Sequence, residues 1–581
     1  MLFKNQRDFS FPDKEKQKLK KFQFRQLKYL LRVLSRKEKG ILFLLLLVIV
    51  ISLSFLGSRY YKEHSQEIPK AGGHFIEGVI GQPKLVNPIL CQTNDVDMDL
   101  STLIYSGLIK YNSSGELIPD LAEGYEISKD GKNYIFHLRE NIKWHDDFEL
   151  TADDVIFTVE LIKNPEYKSP LYPNFQGVAI EKVDDFTLKF VLDEPFSPFL
   201  YEQTIFGILP KHIWENVLPE NFALAEYNLR PIGTGPYQFE EYKKDKQGNI
   251  NSYDLVLNEN YHLDKPFLEK ITFLFFEDEA DLIQAFQNKE ITGVSYIPTE
   301  YKKDLEKEGI NFYSVSLPKF YALFFNQPKN EHLKNKEVRK ALAYAIDKQE
   351  IIDKALNGQA LPAHTPILPG FLGHNPEIKK YEYNQERALE LLNKAGWKDI
   401  DEKGNRLKEG QPLEITITSV DQPPFPQVLD IIKEAWENIG VKVHVKLYDP
   451  AKLQVEYIKP RNYEVLLYGE LMMHDPDPWP FWHSSQRLDP GLNLTSFKDE
   501  AVDDLLGEAR HILDQNKRAK KYLHFQNILA EEIPAIFLYS PTYLYGVDKK
   551  IKGIKLDRIT FPSDRFAEIN MWYVKIRRTW K

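Results

Sequence analysis

Hydrophobic positions along this chain switch repeatedly between a period of two and a period of three to four, and the switches mark strands and helices in turn. One stretch stands apart. Residues 41–57 (ILFLLLLVIVISLSFLG) are 17 positions without a charge, near the lower limit for a helix that spans a bilayer. Globular sequence begins near Gly73. FIEGVI (75–80) has the β-branched character of a first strand, LVNPIL (85–90) leads into a polar loop, and 100–108 is apolar on a helical period. Gly115 and the Lys129-Asp130-Gly131-Lys132 run read as turns, and YIFHLRE (134–140) alternates like a half-buried strand. Thr151 at the N-cap with Asp154 at N3 fits a capping box and opens a helix to about Lys163. Strands follow at 184–193 and 270–278 and a helix at 279–290, while Pro- and aromatic-rich sequence at 165–176 and 195–237 predicts irregular surface structure.

From about Lys319 the pattern restarts. YALFFNQ is a strand, and 335–356 predicts one long helix with Val338, Leu342, Ala345 and Ile346 on one face. A second helix, 385–397, closes at Gly396. Strands 414–420 and 442–449 flank a helix at 427–438, strand 463–470 runs into the loop LMMHDPDPWPFWHS, and helices 499–512 and 516–532 precede IFLYSPTYLYGV. No fixed-period repeat or low-complexity block interrupts this order. Strands alternating with helices in two successive halves predict two α/β lobes.

Charge changes the picture of the N-terminus. Residues 1–40 carry a net charge of +9 and the remainder −18, for −9 overall. The basic flank before 41–57 and the polar sequence after it fit the positive-inside rule: a cytoplasmic tail 1–40, a transmembrane anchor 41–57, a polar linker 58–72 and an extracytoplasmic body, attached to the cell membrane by a single pass. A cleaved signal peptide is the competing reading; its basic region would be unusually long, and no A-x-A site follows. The acidic body argues against nucleic-acid binding. The only cysteine, Cys91, excludes an intrachain disulfide and any zinc site built from several thiolates, and lies far beyond the apolar run.

Enzyme signatures are missing: no G-x-x-x-x-G-K-[ST], G-x-S-x-G, H-E-x-x-H or C-x-x-C occurs. No catalytic residue, resident metal or cofactor is expected. His145-Asp146-Asp147 and His474-Asp475-Pro-Asp477 could ligate a metal, but each reads more readily as a polar loop before a helix or turn, and neither has the spacing of a known zinc or calcium loop. The aromatics Tyr463, Tyr468, Trp479, Phe481 and Trp482, beside acidic residues and two methionines, suit either a pocket wall or ordinary core packing.

Several blocks, in order, resemble the family 5 extracellular solute-binding proteins, the peptide/nickel class that serves ABC importers. They are LVNPIL, IYSGLIKY…GELIPDLAEGYE, HLRENIKWHDD…LTADDVIFT, IGTGPYQFEEY (232–242), LNENYH, FFNQ…KEVRKALAYAIDK, NKAGW and YGE…DPDPWPFW. One departure is local: family members commonly have Gly after the His-Asp pair, where this chain has Asp147. The resemblance implies a periplasmic-binding-protein-like clamshell of the large class. Its N-terminal lobe (73–316) would hold two subdomains, a second lobe would span 317–545, and 546–581 would return to the first. Ligand would lie between the lobes, and closure would be a hinge motion.

The resemblance also implies the pocket wall: Gln92, Thr93 and Asn94 after the first N-P, Phe324 and Asn326 from the strand opening the second lobe, and Tyr468, Glu470, Met472, Met473, Asp475, Asp477 and Trp479. Tyr172, from the aromatic stretch 165–176, joins them. Peptide-binding relatives place an Asp in this loop to pair with the ligand's α-ammonium; here Met472 or Met473 stands at that position, and Glu470, Asp475 or Asp477 could take over. The expected partners are a peptide-like solute, ABC permease subunits and the membrane, with the protein monomeric. A nickel chelate or other non-peptide solute, a sensor signalling through the basic tail, and, less favoured, a hydrolase are the alternatives.

Overall fold

A computed structural model describes residues 34–580 except 203, 299–300 and 307–308; most of the basic segment 1–40 therefore lies outside the described residues. The chain divides into two units, one of residues up to Ile68 with 576–581, the other Pro69–Lys575.

In the first unit, helix Arg36–His64 is opened by a capping box in which Glu38 and Ser35 serve each other's backbone amides. No residue of this helix is buried. It continues past Gly57, so 58–72 is not a free linker but helix to His64 and then strand Ser65–Lys70, which pairs with Lys575–Trp580. Residues distant in sequence close the helix end, which is why local polarity concealed it. Arg578 donates to the Lys62 carbonyl (3.4 Å) and Ser65 Oγ (3.3 Å) and pairs with Glu67 (3.1 Å). Trp580 meets Tyr61 edge-on at 5.0 Å.

The second unit is built on a 12-stranded mixed sheet. One strand, Ala535–Asp548, serves both halves of it. Its first part pairs with Lys319–Phe325 (Ile536 opposite Leu323), and its second with Ile310–Ser316 (Tyr543 opposite Val315). Ile536, Leu538 and Tyr539 pack into a core with Leu323, Ile417 and Trp436, whereas Tyr543, Tyr545 and Val547 join Phe75, Phe273 and Trp572. The chain passes between the two halves at Leu317-Pro318 and again near Ser540–Thr542. This is the two-lobed α/β clamshell.

In the first lobe, His74–Ile80 runs parallel to Lys270–Phe276, with Ile250–Leu257 and Tyr237–Lys244 antiparallel beyond it. A separate four-stranded antiparallel sheet holds Ala122–Ile127, Asn133–Leu138, Thr187–Leu192 and Val178–Asp184. Its central strands bury Tyr134, Phe136 and Leu138 against Leu188, Phe190 and Leu192, the alternation expected of a half-buried strand. Helix Ala152–Lys163 opens on the Thr151–Asp154 capping box. In the second lobe, Glu414–Val420 and Lys442–Tyr448 are parallel and joined through helix Phe425–Glu437.

Two further expectations, both of helices, need correction. The helix at 100–108 begins earlier, capped by Asn94, and spans Asp95–Ile104. It stops because the chain then runs tightly beneath 205–206: a Cβ on Gly107 would lie 2.8 Å from the Ile205 carbonyl oxygen. The long helix at 335–356 is two, Lys336–Tyr344 and Lys348–Ala355; the Asp347 side chain accepts from the Gln349 and Glu350 amides and starts the second. Its N-cap signal overrides a continuous apolar stripe.

The first-lobe core contains a fully buried charge group. Arg565 pairs through Nη1 and Nη2 with Asp99 (2.7 and 2.5 Å) and through Nε with Glu77 (3.0 Å), while the Tyr545 hydroxyl donates to the second Glu77 oxygen at 3.1 Å. This ties the segment Pro562–Phe566 into the first lobe.

Candidate functional site

A cavity of about 260 Å³ opens beside that segment. Its wall is mostly first-lobe: Gln92 and Met98 around the start of helix Asp95–Ile104, Tyr105 to Tyr111 after it, Glu202 at the end of Phe199–Glu202, Tyr261, and Ser563 and Asp564. The second lobe contributes Met473 and His474.

Local hydrogen bonds set these positions. The Asp97 carboxylate accepts from the Lys84 and Leu85 amides (2.7 and 2.9 Å), and Asn87 bonds Asn228, fixing the LVNPIL loop. Gly233 must be glycine, since a Cβ there would lie 1.9 Å from the Ile104 carbonyl oxygen. The Gly235 amide donates to that same carbonyl at 2.8 Å. The His145 ring bonds the backbone at Gly233 (3.2 Å), and Asp146 pairs with His212 at 2.8 Å. The first candidate metal loop is therefore a brace. Among the described residues no group of three or more His, Cys, Asp or Glu converges as a metal site.

His474 links the lobes at the cavity wall. Its ring stacks on Tyr111 at 3.7 Å and 7°, Nε2 faces Asp564 at 3.3 Å, and Nδ1 is buried without a hydrogen-bond partner among the described residues. Asp564 also accepts from the Thr560 and Phe561 amides (2.6 and 2.9 Å). Burial would raise its pKa, but His474 and these amides more than offset that and hold the carboxyl below the ordinary range. Arg558 reaches across to the His474 and Gly370 carbonyls. Lys110 donates to the Tyr261 hydroxyl at 3.2 Å, and Asp120 pairs with His262 at 2.8 Å. The Gln92 Oε1 and Tyr105 hydroxyl are buried with no hydrogen-bond partner among the described residues.

The lobes meet beside this wall. Arg518 pairs with Asp475 (2.7 Å) and donates to Ser197 Oγ (2.7 Å); Arg510 grips Asp477 through Nε and Nη2 (3.0 and 2.9 Å) and lies 4.3 Å over the Trp479 ring. Burial pushes the Asp475 carboxyl up to about 6 and raises Asp477 as well, against the pull of the arginines. Glu202 faces this group from the first lobe. Burial, then Asp477 and Asp475, push its carboxyl up to about 8, with Arg510 and Arg518 opposing.

Of the expected wall residues, the structure brings Gln92 and Met473 to the cavity. Asn94 is spent as a helix cap, and Thr93 is exposed and lines a separate surface depression. Tyr172 sits beside two lining residues, Leu171 and Asn174, without lining it. Phe324 is core against Trp482, and Asn326 braces the Arg461 and Tyr463 carbonyls. Met472 is buried in the second-lobe core, with Tyr468 packed against it from the same strand region. Glu470 is buried with Oε1 unpartnered, and burial raises its pKa far above the ordinary value. Asp475, Asp477 and Trp479 belong to the interlobe contact just described. Tyr463 and Trp482 are core. Sequence reasoning missed Tyr105, Lys110, Tyr111, Glu202, Tyr261 and Asp564. The first three lie inside IYSGLIKY, a block that entered only through the family resemblance, and nothing local singles out Glu202.

Residues 116–489 match the sequence model described as bacterial extracellular solute-binding proteins, family 5 Middle. The chain is 28% identical over 556 residues to the oligopeptide-binding protein AppA of Bacillus subtilis, covering 93% of this chain and 100% of that one. It is 28% identical over 505 residues to the dipeptide-binding protein of Escherichia coli, covering 82% and 91%. Among solved structures it resembles NikZ from Campylobacter jejuni in complex with Ni(L-His), at 30% identity and TM-score 0.69, covering 87% and 100%.

Proposed function

We infer the function from one premise: the chain belongs to the bacterial extracellular solute-binding proteins, family 5. We propose that it captures an oligopeptide-like solute between its lobes and presents it to the permease subunits of an ABC importer, working as a monomer and doing no chemistry on its cargo. The observation that carries this is the cavity. First-lobe residues wall it and Met473 and His474 close it from the second lobe, while Gln92 Oε1, the Tyr105 hydroxyl and His474 Nδ1 stay unpartnered inside. Buried polar groups without partners cost free energy, so they mark where a ligand's own polar groups would satisfy them. The lobes on this reading are 73–316 with 546–581, and 317–545, the latter supplying only the closing residues, so that closure and capture are one event.

We assign helix Arg36–His64 as a retained anchor with the body outside the membrane. Its apolar stretch is unburied, and its end is tied by Arg578, Tyr61 and Trp580 to residues 576–580; such aromatic and basic groups suit the membrane–water interface.

Native mass spectrometry of the full chain in detergent, before and after adding short randomised peptides, tests the capture. A ladder of bound peptide masses is expected. Peptides converted to fragments would point to a hydrolase instead. Uptake of labelled peptide should be lost in cells lacking the gene; uptake unchanged in those cells would sink the importer reading and leave the sensor. The one observation favouring a second cargo is the free Nδ1 of His474 beside Met473, together with the likeness to a nickel-chelate binder. Nickel that copurifies in equal proportion to protein would establish that cargo.

A further inference from the structure

The expected ammonium-pairing carboxylate is absent from the 472–473 position, and each proposed substitute in that loop is already engaged or remote. Asp475 is taken by Arg518 and Asp477 by Arg510, while Glu470 lies in the second-lobe interior, outside the cavity wall. Arg518 is further committed to Ser197. Three carboxylates therefore meet two arginines at the lobe boundary, and the third, Glu202, has no hydrogen-bond or ion-pair partner among the described residues and lines the cavity. The same cavity holds the Tyr105 hydroxyl, on a side chain 5% exposed, and His474 Nδ1, both unpartnered. At another part of the wall stands Lys110, whose ammonium is held by a Tyr261 hydroxyl and by no carboxylate.

We propose that Glu202, a first-lobe residue, binds the primary ammonium of the cargo, with Lys110 receiving its anionic end. The cargo is thus dipolar: a free amino group at the side of the cavity where Glu202 faces Asp475 and Asp477, and a carboxylate toward Tyr261. The assignment rests on the peptide reading above. A cation supplies what the lobe boundary lacks, since it offsets the surplus carboxylate and leaves both arginine pairs intact. Because Glu202 belongs to the first lobe and its neighbours Asp475 and Asp477 to the second, an ammonium bound there lies between groups of both lobes as they close. The groups that face Glu202 are Asp475, Asp477, Arg510 and Arg518, with Tyr111 and Tyr201 close by. With its carboxyl near 8 in the empty cavity, arrival of the ammonium ionises it and releases a proton.

The test uses the full chain in detergent with two probes, short randomised peptides and the same peptides N-acetylated. Wild type should bind the free-amino set about 10- to 100-fold more tightly. Glu202→Gln should erase that preference while still binding the acetylated set, which shows that the variant folds. Calorimetry at pH 7 in buffers of different ionisation enthalpy should detect proton release for wild type and not for Glu202→Gln. Equal binding of both sets to wild type, or a preference that survives Glu202→Gln, overturns the assignment and leaves the peptide reading standing. Binding of neither set sinks the peptide reading and this assignment with it.

Discussion

Two buried charge groups in this molecule have the same imbalance and opposite fates. In the first-lobe core, Glu77 and Asp99 share Arg565; at the lobe boundary, Glu202, Asp475 and Asp477 share Arg510 and Arg518. Each has one carboxylate too many. In the core every carboxylate oxygen has a donor, because Tyr545 completes Glu77 and the guanidinium fork completes Asp99. Even a Cβ is excluded nearby: one on Gly293 would lie 2.2 Å from Glu77 Oε2. At the boundary the third carboxylate, Glu202, has no donor among the described residues and lines a cavity. A closed group of this kind fixes one arrangement of the chain. An open one at a moving boundary is completed by what binds there.

The largest expected effect breaks the closed group. Arg565→Met would strand two fully buried carboxylates, and loss of one partner from such a group costs about 3–5 kcal/mol; denaturant unfolding should show it, and a midpoint unchanged from wild type would mean that Arg565 does not hold the core. The two glutamates then separate the groups directly. Glu77→Gln removes one of the two carboxylates that Arg565 pairs with and should cost about 1–3 kcal/mol. Near pH 4.5, where the folded wild-type carboxyl is protonated, Glu202→Gln in empty protein should change stability by less than about 0.5 kcal/mol, because it removes no hydrogen bond. If the second variant is as destabilising as the first, Glu202 has a structural partner and the contrast fails.

pH sharpens the same contrast. Both carboxyls are raised in the folded protein, Glu77 to about 7 and Glu202 to about 8, from an ordinary value of 4.5, chiefly by burial. A raised carboxyl pKa means that the folded state holds the proton more tightly than the unfolded chain. Its stabilising contribution is therefore complete below about 4.5 and lost as pH rises through the folded value. Empty wild-type protein should lose stability across pH 4.5–8 more steeply than Glu202→Gln does, and the difference should persist above pH 7, where Glu77 has already titrated. Parallel melting curves from pH 6 to 9 for the two proteins would contradict this.

Much of the fold was legible because its signals are local. Strand 75–80, the Thr151–Asp154 box, Gly396 (φ 91°) and the paired strands 414–420 and 442–448 all follow from neighbours in sequence. The failures share a cause. Asp347 splits a helix whose apolar stripe runs on unbroken, and 58–72 is ordered by Arg578 from the other end of the chain. The site was harder to read for the same reason. Asp-Pro-Asp at 475–477 drew notice as a chemical cluster, but its meaning depends on Arg510, Arg518 and Glu202, which only the fold assembles. Phe324 and Asn326 were expected at the wall, yet both sides of the strand that leads to them are covered, so neither reaches a cavity.

The smallest effect isolates local backbone strain from buried charge. Asp147 has φ 71° in the turn between Lys143 and Glu149. Side chains other than Gly reach this left-handed region at a cost, which Asp tolerates better than most. Asp147 is exposed, and the one hydrogen bond of its side chain among the described residues is accepted from Asn260 at 3.3 Å. Relief of strain should therefore outweigh the lost bond, and Asp147→Gly should stabilise by about 0.5 kcal/mol or slightly more, less the extra freedom glycine gives the unfolded chain. Because the site is far in character from either charge group, the gain should be independent of pH across 6–9 and additive with Glu202→Gln. A gain that changes with pH would mean that this turn, held through His145 to Gly233, is coupled to the titrating group after all.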